Sequence, residues 1–217
     1  MKKILGAAVL MAAGAALAAT TIESSQFGFV PVAAGGLTAV SVPVTGYTAG
    51  LDIVIAEVLQ TANLAAGDKL YTMTADGKYN EYVLQANKTW KASRVVTVSG
   101  GSMTSASGTP ATEATVQRGK AFWIQTSASQ VNIMGQATTD AGTPTITVST
   151  GWNLVGSPSM TQAVKISMIE GAVGSFISVN GETYQKTSAG WKNRATKAAV
   201  TDADVIPVGM GAMIKKN

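Results

Sequence analysis

The pattern of apolar and polar positions along the 217-residue chain is mainly that of short β-strands. Short segments rich in Val, Ile, Thr, Tyr and Phe recur between clusters of Gly, Asn and Asp, as expected for strands separated by turns. They lie at residues 37–44, 69–74, 80–85, 94–98, 121–126, 130–134, 145–148, 152–156, 175–179, 182–186 and 211–215. The dipeptides Asp76-Gly77 and Asn180-Gly181 predict two tight hairpins, because these residues tolerate the positive φ angles of such turns.

Helical spacing of apolar residues occurs in only two segments. In residues 51–59 one side of a helix would carry Leu51, Val54, Ile55, Val58 and Leu59. Residues 164–169 form a second, shorter candidate. The chain is therefore predicted to be all-β, with antiparallel strands and one short helix in each half.

The second half of the chain repeats landmarks of the first half in the same order. Residues 40–43 (VSVP) align with residues 155–158 (VGSP), and residues 116–124 align with residues 206–214 without a gap. Between these ends, each half has a helical candidate, a strand, a glycine turn, a tyrosine (Tyr82 or Tyr184) and a tryptophan flanked by basic residues. This order predicts two pseudo-repeated antiparallel β-modules, sandwich or barrel-like.

The predicted modules span residues 19–140 and 141–217. The first is the longer because of a segment rich in Ser, Gly and Thr at residues 99–115, which is typical of a long surface loop. The alignment leaves open whether the two modules form separate units or share one core.

The motif Gly-Trp-Asn-Leu-Val-Gly-Ser-Pro at residues 151–158 has a degenerate earlier copy at residues 36–43. A Gly-x-x-Phe-Trp-Ile motif follows at residues 119–124. With these motifs the chain resembles a group of exported, duplicated all-β proteins of bacteria. The resemblance covers nearly the whole chain after the first residues and implies secretion and an all-β fold. It implies no catalytic residues, because no activity is established for that group.

The first 18 residues have the order of a signal peptide. Lys2 and Lys3 precede an apolar run at residues 4–17, and small residues at 16–18 predict cleavage after Ala18. The run is too short to cross about 30 Å of hydrocarbon, and no later apolar run is long enough. We expect an exported protein of the periplasm, the cell surface or the extracellular space.

Composition excludes several classes of chemistry. The chain has no His and no Cys, which excludes Ser-His-Asp and Cys-His nucleophile systems, disulfides and thiolate metal sites. Only 13% of residues are charged, about half the usual fraction. Loss of Lys2 and Lys3 lowers the formal net charge from +4 to +2, which disfavours nucleic-acid binding.

The twelve acidic residues show no local signature of a catalytic pair. Asp202 and Asp204, and also Asp76, Asn80 and Glu81, carry oxygens suited to Ca²⁺. They lack the regular ligand spacing of a calcium loop and are interpreted as solvated turn residues. No cofactor and no metal site are predicted.

Two of the four tryptophans lie beside cations at equivalent positions of the two halves. The candidate ligand-binding residues are Trp90, Lys91, Arg94, Trp191, Lys192 and Arg194. Exposed indoles rimmed by cations would stack on sugar rings and hold a uronate or sulfate, whereas in the alternative each Trp packs on a core. Trp123 and Trp152 lie in apolar strand segments and are expected in the core.

These features together predict an exported, non-catalytic structural or interaction protein of the cell envelope or extracellular space. The alternative is a carbohydrate-binding or adhesion module that uses exposed tryptophans, and an acid-pair hydrolase is the third hypothesis. The expected partners are envelope or extracellular polysaccharides or other copies of the chain.

Overall fold

Strands account for nearly all the regular structure, which confirms the all-β prediction. The computed structural model describes residues 27–45, 52–99, 102–137 and 143–217. The predicted signal peptide lies outside these residues. Every strand pair within them is antiparallel. In this part of the chain no helix has the length and apolar character needed to cross a membrane.

The N-terminal half is built around a six-stranded sheet. Its strands, in spatial order, are β2 (Gly36–Ser41), β10 (Ala121–Thr126), β5 (Lys69–Met73), β6 (Tyr79–Leu84), β7 (Trp90–Ser99) and β8 (Ser102–Ser105). A second sheet consists of β1 (Phe27–Ala33), β11 (Gln130–Gln136) and β4 (Leu59–Gln60). Strand β3 (Asp52–Val54) pairs with β9 (Thr115–Gln117). Val40, Phe122 and Ile133 are fully buried in the core of this half.

The C-terminal half has a five-stranded sheet. Its spatial order is β12 (Gly151–Gly156), β18 (Gly211–Lys216), β14 (Phe176–Val179), β15 (Glu182–Thr187) and β16 (Gly190–Asn193). Strand β13 (Val164–Lys165) pairs with β17 (Val205–Ile206). Val155, Ile177 and Ile214 belong to a second, separate core.

The two main sheets share one strand order. In each sheet, the first strand in chain order pairs with the last (β2 with β10, β12 with β18), and that last strand also pairs with the second, which begins a run of consecutive strands. The six-stranded sheet differs by the additional edge strand β8. That strand comes from residues 99–115, so the predicted surface loop is partly a strand. The shared order supports the duplication, which stays a prediction.

The helical candidates are shorter than predicted. In the first half only α1 (Ile55–Val58) is helical, and in the second only a 3₁₀ turn (Ile166–Met168). Leu51 lies outside the described residues. Strands β3 and β4 flank α1 and pair with β9 and β11, so sheet hydrogen bonds take the backbone groups that a longer helix would need.

Both predicted hairpins are present, but only the second is the tight two-residue turn that was predicted, since the first has a five-residue loop at residues 74–78. Asp76-Gly77 lies between β5 and β6, and Asn180-Gly181 between β14 and β15. Gly77 has φ +78°, while Asn180 and Gly181 both have positive φ, at 48° and 80°. Asn and Gly adopt these angles at little cost, which explains the residues at the second turn.

The two halves meet through small residues. Ser41 N donates to Gly209 O at 2.8 Å, and Gly156 N donates to Gly119 O at 3.0 Å. A Cβ on Gly156 would lie 2.0 Å from Ser41 Cβ, so this approach requires glycine. A third apolar cluster spans the junction and contains Ala39, Ala121 and Leu154, among others. Each half thus has its own core, joined by a smaller shared cluster.

Candidate functional site

Trp191 is part of the C-terminal core and does not form an exposed stacking surface. Its side chain is 4% exposed, and its Nε1 donates to Ile169 O at 2.9 Å. Successive side chains of a strand point to opposite faces, so β16 directs Trp191 inward and Lys192 outward. The interpretation of Trp191 as an exposed sugar platform is therefore wrong, and the core alternative holds for this residue.

Trp90 is half-buried against the N-terminal core. Its Nε1 is enclosed and has no hydrogen-bond partner among the described residues. Lys91 points away from that core beside Val83 and is exposed. These two residues therefore occupy opposite faces of β7 and do not form one binding surface.

Arg94 is held by a buried carboxylate. Its Nε and one terminal nitrogen donate to Glu81 at 3.0 and 3.3 Å, and the other terminal nitrogen donates to Ser105 Oγ at 2.9 Å. Glu81 is only 2% exposed, so its interpretation as a solvated turn residue is wrong. Lys69 Nζ lies 3.6 Å from the same carboxylate. This cluster stabilises the sheet and leaves Arg94 little capacity for a ligand.

The pKa values of this cluster follow from burial and charge. Burial opposes ionisation of Glu81, but the hydrogen bond from Arg94 and the charge of Lys69 together hold the pKa of Glu81 below its usual value. Burial, and then the negative charge of Glu81, raises the pKa of the neighbouring Tyr71 to about 12. The cluster therefore consists of an ionised Glu81, its cations and a neutral tyrosine at neutral pH.

Trp152 is the tryptophan that the structure exposes, contrary to the expectation of a core residue. Its side chain is 56% exposed. In β12 the inward positions are Asn153 and Val155, and Trp152 and Leu154 point to the other face. Asn153 tolerates an inward position because its side-chain amide bonds the backbone of Ser149 in both directions, at 3.0 and 2.7 Å.

A row of large side chains crosses the outer face of the five-stranded sheet from Trp152. Lys215 is directly opposite Trp152 on one side and opposite Phe176 on the other. Lys215 Nζ lies 5.7 Å from the centre of the Trp152 ring, and Arg194 Cζ lies 5.5 Å from the centre of the Phe176 ring. Both distances are within the range of favourable cation–aromatic contacts.

These side chains surround a hollow of about 300 Å³. We call the surface formed by this row of side chains and the hollow the Trp152 face. The hollow is lined by Trp152, Phe176, Ser178, Thr183, Arg194, Met213 and Lys215. The same row continues through Gln185 to Lys192. Of the six residues predicted from the sequence to bind a ligand, the structure thus brings Arg194 and Lys192 to this face and places the other four elsewhere.

The cations of the Trp152 face are electrostatically unbalanced. Among the described residues, no carboxylate lies within 4 Å of the charged atoms of Lys192, Arg194 or Lys215. Lys216 points the other way and lies 3.6 Å from Glu170. The face therefore combines exposed aromatic surface with uncompensated positive charge.

A larger groove of about 560 Å³ lies on the other side of Trp152, at the junction of the two halves. Its lining is rich in hydroxyl groups, from Thr72, Thr74, Thr115, Ser149 and Thr150. Lys120 and Asp52 are its charged residues. Burial lowers the pKa of Lys120, whose Nζ donates to Thr147 O at 3.3 Å. Within the described ranges, no group of three or more His, Cys, Asp or Glu residues is placed to hold a metal ion.

No protein family, curated protein or solved structure matches this chain.

Proposed function

We propose that this chain is an exported, non-catalytic interaction protein of the cell envelope or extracellular space, and that it binds carbohydrate through the Trp152 face. The observation that carries the proposal is the 56% exposure of Trp152 on a paired strand, beside Lys215 and Phe176. An indole held open to solvent on a rigid sheet offers a flat apolar surface at low entropic cost.

The position of Trp152 suits an extended ligand. Its side chain borders both the hollow of the Trp152 face and the hydroxyl-rich junction groove. A sugar chain lying over the indole would reach apolar and cationic groups on one side and hydroxyl groups on the other. Sugars present both C–H faces and hydroxyl groups, so the two environments complement one ligand class.

The groups around Trp152 favour binding over hydrolysis. A glycosidase places two carboxyl groups about 5 to 9.5 Å apart across the scissile bond. Asp52 is the one carboxylate among the described residues that line the junction groove or the Trp152 face. This arrangement supports a surface that retains a polysaccharide without cleaving it.

Export is supported by the order of the first 18 residues, in which a basic start precedes an apolar run and small residues. We expect the exported protein to begin at Ala19, which N-terminal sequencing would establish. Retention of Met1 on the secreted or periplasmic protein would contradict this part of the proposal.

Carbohydrate binding is tested by affinity electrophoresis of the mature chain in gels containing neutral or acidic soluble polysaccharides. We expect retardation by at least one polysaccharide and loss of that retardation in Trp152→Ala. The matched control is Phe29→Ala, which removes an aromatic side chain that is 55% exposed on β1. Absence of binding to every polysaccharide, or equal retardation of Trp152→Ala and the parent, would overturn the proposal.

A further inference from the structure

We infer that the Trp152 face is specific for acidic polysaccharides, with a sugar ring lying on Trp152 and its carboxylate or sulfate groups bound by Lys215 and Arg194. The inference rests on the proposed carbohydrate-binding function and adds the chemical class of the ligand. It depends on charge and geometry that a neutral glycan would not use.

The Trp152 face carries positive charge that is not paired with a carboxylate among the described residues. Lys192, Arg194 and Lys215 all belong to one face of the five-stranded sheet, and the polar partners around them are neutral: Ser178, Thr183 and Gln185. Lys215 and Arg194 have no ion-pair partner among the described residues. An anion bound there would form charge-assisted hydrogen bonds without displacing an existing carboxylate.

Two of these cations contact aromatic rings. Lys215 contacts Trp152 and Arg194 contacts Phe176 at 5.7 and 5.5 Å from the ring centres. Contact with a ring restrains a long side chain but leaves N–H donors for an anion. Such restraint reduces the ordering cost that flexible surface lysines and arginines incur on binding.

Aromatic and cationic groups follow one another across the strands of the sheet. Trp152, Lys215 and Phe176 lie on three adjacent strands, β12, β18 and β14, and Arg194 lies next to Phe176. Apolar surface and positive charge therefore alternate along the row, with neighbouring strands about 4.8 Å apart. A polymer that presents sugar faces and anionic substituents in alternation matches this row.

Two matched pairs of polymers test the inference by isothermal titration calorimetry of the mature protein. Polygalacturonate is compared with its methyl-esterified form, and dextran sulfate with dextran. We expect at least one acidic polymer to bind about tenfold or more tightly than its uncharged counterpart, and its affinity to fall as salt rises. The acidic polymer that binds identifies carboxylate or sulfate as the recognised group.

Single variants identify the residues responsible. Lys215→Gln and Arg194→Gln should each weaken binding of the acidic polymer about tenfold. Both should lower the melting temperature by at most about 2 °C, because each loses one cation–aromatic contact and no ion pair among the described residues. Lys91→Gln is the matched control, since Lys91 is an exposed strand lysine on the other main sheet.

Each outcome decides a separate question. Equal affinity for the acidic and uncharged members of both pairs, or an equal effect of Lys91→Gln and Lys215→Gln, would overturn the inference and leave carbohydrate binding intact. Failure of all four polymers to bind would overturn the inference. If other polysaccharides still bound through Trp152, the proposed function would survive that result.

Discussion

The two main sheets have the same order of equivalent strands, but the charged residues on their outer faces differ. Cations are paired with a carboxylate on one face and are not so paired among the described residues on the other. On the six-stranded sheet, the buried carboxylate of Glu81 pairs with Arg94 and Lys69, and Trp123 is half-buried in the apolar cluster at the junction. On the five-stranded sheet, Trp152 is exposed and its neighbouring cation Lys215 has no carboxylate partner among the described residues. The cations of the six-stranded sheet are bound by Glu81, whereas Trp152 and Lys215 of the five-stranded sheet are available to a ligand.

A single sequence position accounts for much of this difference. When Tyr82 is aligned with Tyr184, Thr183 takes the place of Glu81. The carboxylate of Glu81 accepts hydrogen bonds from the side chain of Arg94. At the equivalent position the backbone carbonyl of Thr183 accepts the backbone N–H of Arg194 at 2.8 Å, which leaves the guanidinium uninvolved. A carboxylate at this position holds the neighbouring arginine within the sheet, and its absence leaves the guanidinium available.

The largest expected effect separates the buried tryptophan from the exposed one. Trp191→Ala should destabilise the protein by about 3–5 kcal/mol, because it removes a buried indole and its hydrogen bond to Ile169 O. Trp152→Ala should cost less than about 1 kcal/mol, since Trp152 is largely exposed. Urea unfolding of both variants measures the contrast. Equal loss of stability would contradict the assignment of Trp191 to the core and Trp152 to the surface.

This contrast also shows what the sequence can predict. Most of the strands, both hairpins and the all-β class follow from local patterns, because β-branched residues and Asn-Gly or Asp-Gly turns act over a few residues. The strand predicted at residues 145–148 is wrong, since these residues have no regular structure, and the local pattern did not indicate β1 or β16. Which face of a strand is buried depends on neighbouring strands that the local pattern does not identify. Trp191 lies between Gly190 and Lys192, and Trp152 between Gly151 and Asn153, so each follows a glycine and precedes a polar residue.

Two sequence predictions failed because contacts with neighbouring strands decided the outcome. Trp152 was expected in the core, and residues 51–59 were expected to form a longer helix. Leu154 and Val155 are both apolar, so the alternation in β12 does not show that Val155 faces the C-terminal core and Leu154 the junction. The inward Asn153, bonded to Ser149, is a signal that Trp152 points outward, but it depends on a turn visible only in three dimensions. Apolar residues in the segment 51–59 do recur at helical spacing. Pairing of β3 with β9 and of β4 with β11 nevertheless outweighs the weak helix propensity of this segment.

The next largest effect compares the two arginines. Arg94→Ala should destabilise the protein by about 2 kcal/mol, because it leaves the buried carboxylate of Glu81 with only Lys69 as an ion-pair partner among the described residues. Arg194→Ala should cost about 0.5 kcal/mol, the value of its contact with Phe176. Denaturant midpoints of the two variants would show this difference. A larger loss in Arg194→Ala would mean that Arg194 has a structural role.

A smaller effect, on binding affinity, should follow from introducing a carboxylate on the Trp152 face at the position equivalent to Glu81. Thr183→Glu places a negative charge beside Arg194 and should weaken binding of the acidic polymer about tenfold, which corresponds to about 1.4 kcal/mol. Thr183→Gln is the control of equal size without the charge. Calorimetric titration of both variants with polygalacturonate and dextran sulfate measures the difference. Equal affinities in the two variants would show that charge at this position does not influence the Trp152 face.

The smallest expected effect is a pH dependence of the free energy of unfolding that arises from Glu81 on the six-stranded sheet. The pKa of Glu81 in the folded protein lies below its ordinary value of 4.5. Ionised Glu81 therefore stabilises the fold above that ordinary value, and this contribution is lost as the pH falls through the folded-state pKa. The loss should be at most about 1 kcal/mol, because Arg94 and Lys69 are partly exposed and solvent screens their charges. Urea unfolding between pH 6 and pH 3 should show a steeper decline in the parent than in Glu81→Gln, with the other carboxylates common to both proteins. Parallel declines would mean that the Glu81 cluster contributes no acid-sensitive stability, and the two faces would then differ in geometry but not in energy.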